Sequence, residues 1–229
     1  MMERIASREF KAVSFNFSHN GVDRDHPTEF ARLDLFAQNT FSRELNELGL
    51  VIDYMYNNAE AHGISRDRIG LAGHSRGGGI SIIKASEDKR IKCLVTLASV
   101  STFDRYTDQL KLEWKERGYL ETLNTRTNQL MRLDSTLLAD LEANSEHLNI
   151  LSAVHNLSIP YLIIHGKEDL SVNFNEAEDL YANSDKKLTQ LYAVSNTGHT
   201  FGVVHPFAGT TPAFEKVIDR TLKFLLENL

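Results

Sequence analysis

Three side chains in this 229-residue chain have the types and setting for acyl-transfer chemistry: Ser75, Asp169 and His199. Serine is a weak nucleophile until a base takes its proton. Histidine can be that base, and a carboxylate orients it and stabilises its charged form. Ser75 lies in Ile69-Gly70-Leu71-Ala72-Gly73-His74-Ser75-Arg76-Gly77-Gly78-Gly79. An apolar run enters Gly-x-Ser-x-Gly and a helix-like segment leaves it, which predicts a strand, a sharp turn carrying serine, then a helix. Glycines at 73 and 77 would let strand and helix approach closely. The hydroxyl would stand at a helix N-terminus, whose unpaired N–H groups suit developing negative charge. The backbone N–H of Arg76 is the expected donor to an oxyanion.

The partners of Ser75 should lie in loops at the C-terminal ends of parallel strands. Asp169 follows the apolar run Tyr161-Leu162-Ile163-Ile164 in His165-Gly166-Lys167-Glu168-Asp169, and His199 follows Leu188–Val194 in Asn196-Thr197-Gly198-His199. Glu168 is a rival for the acid and His205 a rival for the base. His165 is read as ordering its own loop, and His74 as a packing or hydrogen-bonding neighbour of the serine. Gly77-Gly78-Gly79 lacks the Gly-Lys-Ser/Thr of a phosphate loop. The loop Ser18–Pro27 holds His19, Asp23, Asp25 and His26, but in no metal-ligand spacing, so it is read as a solvated loop. Neither a metal nor a cofactor is expected.

The elements that must position these residues follow from periodicity. Val13, Phe15 and Phe17 alternate, so Ala12–Phe17 predicts a strand. Phe41, Leu45, Leu48, Ile52, Met55 and Ala59 recur in steps of four and three, one stripe of a helix. Arg68–Gly73, Ile91–Ala98, Tyr161–Gly166 and Leu188–Val194 read as strands. Helices are expected over Gly77–Ser86 and Asn173–Asn183, and from Thr211-Pro212 onward, where threonine caps and proline starts the helix. Strand and helix in alternation imply a parallel sheet with right-handed crossovers. Between about 102 and 158 no strand is evident. That stretch reads as short helices near Asp104–Arg117, Asn124–Asp140 and Ser145–Ala153, an insertion expected to act as a lid or cap.

On Gly73-His74-Ser75-Arg76-Gly77, His165-Gly166-Lys167-Glu168-Asp169 and Gly198-His199, in that order, the chain resembles the α/β-hydrolase superfamily from Ala12 onward. It looks most like the dienelactone-hydrolase-like and serine-aminopeptidase-like branches. The resemblance implies a doubly wound, mostly parallel α/β sheet in one domain over residues 1–229, with the helical insertion as a cap. It also implies a Ser75–His199–Asp169 triad and favours Asp169 over Glu168, since the family acid lies three residues after His-Gly. Dienelactone hydrolases proper use cysteine, so that activity is not implied. The superfamily's early strand and oxyanion loop are not seen before Lys11. The reading is therefore a fold short at its N-terminus, either cut or started late, or else one whose second oxyanion donor comes from elsewhere, such as the loop from Ser18 to Gly21; a missing strand would leave a sheet edge open to homodimerisation.

The implied function is a serine hydrolase of a small ester, then a thioester or amide. The rival reading is a catalytically impaired hydrolase-fold protein that binds a small ligand or partner. Phe103, Trp114 and Phe201, with Arg76 and Tyr106, are the expected substrate-wall residues. A net charge of −6 argues against nucleic acid or an anionic membrane as partner. No apolar run reaches the ~20 residues that span a bilayer. The N-terminus lacks a signal-peptide core, and Cys93 is the only cysteine, so a cytoplasmic protein without disulfides is expected.

Overall fold

The most apolar runs of the sequence lie side by side. The computed structural model describes residues 1–8, 10–26, 29–124 and 128–229. In chain order its elements are α1 (Met2–Ala6), α2 (Leu33–Ala37), α3 (Phe41–Asn57), β1 (Ile69–His74), α4 (Arg76–Glu87), β2 (Ile91–Leu97) and α5 (Asp108–Arg117). They continue with β3 (Tyr119–Asn124), β4 (Gln129–Asp134), α6 (Ser135–Ala143), α7 (Ile150–His155), β5 (Tyr161–Gly166), α8 (Phe174–Asn183), β6 (Thr189–Val194) and α9 (Pro212–Asn228). Two compact units result. The first comprises Met1–Val13, Gly49–Phe103 and Asn149–Leu229, the second Ser14–Leu48 and Asp104–Leu148.

The first unit is built on a four-stranded sheet in the order β1-β2-β5-β6. Every pair is parallel, with Leu97 opposite Ile164 and His165 opposite Ala193. Side chains alternate across a strand, so each strand feeds two layers. Cys93, Val95, Leu97, Leu162 and Ile164 form one buried cluster with Val217, Phe224 and Leu225 of α9. The alternate residues Leu94, Thr96, Tyr161 and Ile163 are buried too, and Thr96 Oγ1 lies 2.9 Å from the Tyr161 hydroxyl. The helices α4, against β1 and β2, and α8, against β5 and β6, complete the layering. Burial on both faces explains why β2 and β5 read as continuous apolar runs. Burial also pushes the Cys93 thiol up to about 12, which makes it an inert core residue.

In the second unit the helix expected over Asp104–Arg117 is α5, but the one expected over Asn124–Asp140 is helical only from Ser135, in α6. Residues 119–134 form an antiparallel hairpin, Tyr119 opposite Asp134 and Thr122 opposite Met131. Gly118 turns the chain out of α5 at φ 76°. Trp114 of α5 is 1 % exposed, and its indole N–H donates to Leu133 O of the hairpin at 3.0 Å. Leu137, Leu138 and Leu141 of α6 are also buried. The helical expectation failed because Tyr119, Arg117 and Arg132 supply the ordering that apolar alternation usually gives: both guanidinium groups stack on the tyrosine ring. Part of the expected helix, residues 125–127, lies outside the described residues.

Ala12–Phe17 is not a strand, although its alternation is real. Val13 and Phe15 are exposed, and the segment enters neither sheet. Period-two patterning needs a partner strand to supply hydrogen bonds. The stripe on α3 does behave as read: Phe41, Leu45, Leu48 and Ile52 are buried, with Ala59 just beyond the helix. Thr40 caps its start by accepting from Arg43 N at 3.2 Å. Among the described residues no helix is long and apolar enough to cross a membrane.

Candidate active site

The turn after β1 is strained at one residue. Ser75 has φ 55° and ψ −123°, a conformation that disfavours any side chain. Its backbone is held on both sides: Ser75 N donates to Leu97 O at 2.9 Å, and Ser75 O accepts from Gly78 N at 2.9 Å. Gly73 is needed for the close approach, since a Cβ there would meet Gly77 O at 2.3 Å. The matching expectation for Gly77 is corrected: a Cβ at that position meets nothing within 4 Å. The next two glycines are the crowded ones. A Cβ at Gly78 would lie 2.4 Å from Ser99 Oγ, and one at Gly79 2.6 Å from Ile150 Cδ1. Arg76 is the first residue of α4, directly after Ser75.

Two loops from the neighbouring strands form a single packed piece. His199 Nδ1 lies 2.8 Å from Asp169 Oδ2. The other carboxylate oxygen, Oδ1, accepts from Ser171 N and Val172 N, each at 2.9 Å. Burial raises the Asp169 pKa, but the N–H of Val172, His199 and the N–H of Ser171 together outweigh it, and the net effect is a lowered value. Glu168 points elsewhere and accepts from Thr197 N at 2.6 Å, which pins the loop of His199 to that of Asp169. Of the two rival carboxylates, the geometry pairs Asp169 with the histidine. Gly166 permits this contact, because a Cβ there would meet Thr197 O at 2.5 Å. The base of the His199 loop is held by Thr211, whose hydroxyl donates to Phe201 O at 2.6 Å while capping α9.

The elbow and the histidine loop meet at His74. Its Nε2 donates to the His199 carbonyl at 3.0 Å, and the two rings stand 4.6 Å apart. The His74 ring keeps an open edge, yet desolvation by the surrounding atoms is the largest influence on it and lowers its pKa. His205 is exposed and lies beyond this arrangement.

The aromatic residues expected to wall a substrate site are buried. Phe103 is 4 % exposed and sits against Gly79. Trp114 belongs to the interior of the second unit, where its ring meets Tyr106 edge-on at 5.0 Å. Phe201 is 1 % exposed, in the cluster beneath α9. Large rings are what a short chain uses to fill its cores, and type alone does not separate a wall from a core. Asp23, in the polar loop, accepts from the backbone of Asp25 and His26 and from the His26 ring, so its carboxylate shapes a turn. Sequence reasoning missed Glu168 as a pin and Gly166 as a spacer. The run His-Gly-x-Glu-Asp contained both, but their roles depend on the loop opposite.

Comparison with known proteins agrees with this architecture. The BD-FAE family model matches residues 32–183, well over half of the chain. The chain belongs to the BD-FAE family. No curated protein matches it in sequence. Among solved structures, the BD-FAE chain is similar to the alpha/beta hydrolase GrgF from Penicillium sp. sh18, at 18% identity and TM-score 0.64, covering 84% of this chain and 73% of that one. It is similar to Est1E from Butyrivibrio proteoclasticus with ferulic acid bound, at 19% identity and TM-score 0.62, over 85% and 71% of the two chains. A monoacylglycerol lipase from Paleococcus ferrophilus aligns at 13% identity and TM-score 0.62, over 83% and 77%. The fold of this BD-FAE member is that of the α/β-hydrolase superfamily, as its motifs implied.

Proposed function

We propose that the protein is a serine hydrolase that cleaves a small ester through an acyl-enzyme on Ser75. The observation that carries this reading is the His199–Asp169 contact at 2.8 Å, in a loop tied to His74, the residue before Ser75. An acid–base pair tethered to the residue before a strained serine at a helix N-terminus is an arrangement with a chemical use. In this reading Ser75 Oγ attacks the acyl carbonyl carbon while His199 Nε2 takes its proton. The Arg76 N–H donates to the developing oxyanion. The tetrahedral intermediate collapses, and the proton on His199 passes to the departing alkoxide. Water then attacks the acyl-enzyme with His199 again as base, and the carboxylic acid leaves as Ser75 regains its proton. Asp169 stays ionised throughout and stabilises the imidazolium.

Esters come first among acyl substrates because an alcohol leaves more readily than an amine. The lipase among the similar folds supports that preference, and the ferulic acid held by Est1E makes an alkyl ester of an aromatic acid the first probe to try. A fluorophosphonate should label the native protein and spare Ser75→Ala. Short-chain nitrophenyl esters should turn over with the native protein and not with Ser75→Ala or His199→Ala. Equal labelling of Ser75→Ala, or no labelling of either, would overturn the proposal.

A further inference from the structure

Asp169 Oδ2 faces two histidines, and the hydrolase reading above uses one. The second is His165. Its ring is wholly buried, with Nε2 2.9 Å from Val172 O and 3.3 Å from Asp169 Oδ2. Both neighbours are acceptors, so Nε2 carries the hydrogen, which it donates to Val172 O with Asp169 Oδ2 close beside it. Nδ1 is buried without a hydrogen-bond partner among the described residues. The ring meets Phe174 edge-on at 5.9 Å, and its backbone lies near the end of β5, paired opposite Ala193 of β6.

We propose that His165 is a positioning residue for the Asp169–His199 pair, its Nε2–H anchoring Val172 and its ring edge backing the carboxylate oxygen that receives His199. This rests on the serine-hydrolase reading and assigns how that site is kept in register. Asp169 sits in a loop, and a loop alone would leave its carboxylate free to rotate about χ2. The N–H groups of Ser171 and Val172 hold Oδ1, but both belong to the same loop and move with it. His165 is the donor that comes from the strand. It holds the loop at Val172 O, whose own N–H holds Asp169 Oδ1, and it stands 3.3 Å from Oδ2, so the sheet's rigidity reaches the carboxylate facing His199. Groups that support a site from rigid elements in this way set its precision.

The test compares His165→Leu, which removes the donor, with His165→Gln, which can supply an amide N–H from a similar reach. Nitrogen NMR of the native protein should find His165 as the Nε2–H tautomer. In His165→Leu the low-field proton of His199 Nδ1 should shift or broaden. Its kcat for a nitrophenyl ester should fall about ten- to a hundredfold, the scale of one hydrogen bond to a charged group, with KM nearly unchanged. In His165→Gln the resonance and most of kcat should return. An Nδ1–H tautomer, a native resonance and kcat in His165→Leu, or a glutamine variant as impaired as a folded leucine variant would overturn the proposal. If His165→Leu does not fold, the tautomer and the glutamine variant's resonance decide. The resonances need no turnover, so a native protein without Ser75-dependent activity would fail the hydrolase reading alone.

Discussion

The elbow and the Asp169–His199 loops hold their residues by opposite means. At the elbow the backbone does the work: Ser75 is kept at φ 55° by hydrogen bonds from flanking main chain and by glycines that leave no room for a Cβ. At the loop pair side chains do it, through Asp169, Glu168, His165 and Thr211. The first region stores strain, whereas the second stores charge. Substitutions should therefore separate stability from chemistry differently in the two places.

The sharpest separation is expected at Ser75→Gly. Turnover should fall by about a millionfold, as loss of a nucleophile does. The protein should nevertheless melt higher, because glycine relieves a strain of roughly 1–3 kcal/mol. A lower melting temperature would show that the elbow is not strained at this residue. Next comes Asp169→Asn, with a loss of kcat of about ten-thousandfold, since the amide favours the wrong imidazole tautomer. It also carries a pH signature. The native carboxyl has a lowered pKa, so its contribution to stability is full above the ordinary carboxylate value and is lost as pH falls through the lowered one. Urea unfolding from neutral pH into acid should show the gap between native and Asp169→Asn proteins closing.

Gly73→Ala should act through the fold. Its Cβ would strike the backbone oxygen of Gly77, not a flexible tip, and a loss of about 3 kcal/mol or more is expected from such overpacking. Chemical denaturation measures it, and a loss under about 1 kcal/mol would mean that the elbow relaxes. The smallest effect belongs to Glu168→Gln. It keeps an acceptor for Thr197 N and loses only the charge, so about 1 kcal/mol of stability should go, with kcat reduced by less than about tenfold. A loss as large as that of Asp169→Asn would reverse the roles given to the two carboxylates.

Much of the proposed site was legible because its residues sit directly after strands. The run Tyr161–Gly166 and the run before Ser75 are apolar enough to declare themselves, and the residues that follow them are fixed by position. Less legible was whatever depends on a neighbour from elsewhere in the chain. Ala12–Phe17 alternates like a strand but has no partner in either sheet, so pattern did not become structure. The β3–β4 hairpin is partnered and helped by arginine stacking, so structure formed with little pattern. Trp114 and Phe201 were legible as large apolar groups, but their burial was not.

The close backing of Gly166 against Thr197 has a practical consequence. The segments 166–172 and 195–201 have the contact surfaces of one cassette that happens to be discontinuous in sequence. Directed evolution that randomises only one of them would explore shapes its counterpart cannot follow. Libraries that vary the two together, or graft both from a single donor fold, would keep acid and base aligned while the surrounding chemistry is changed.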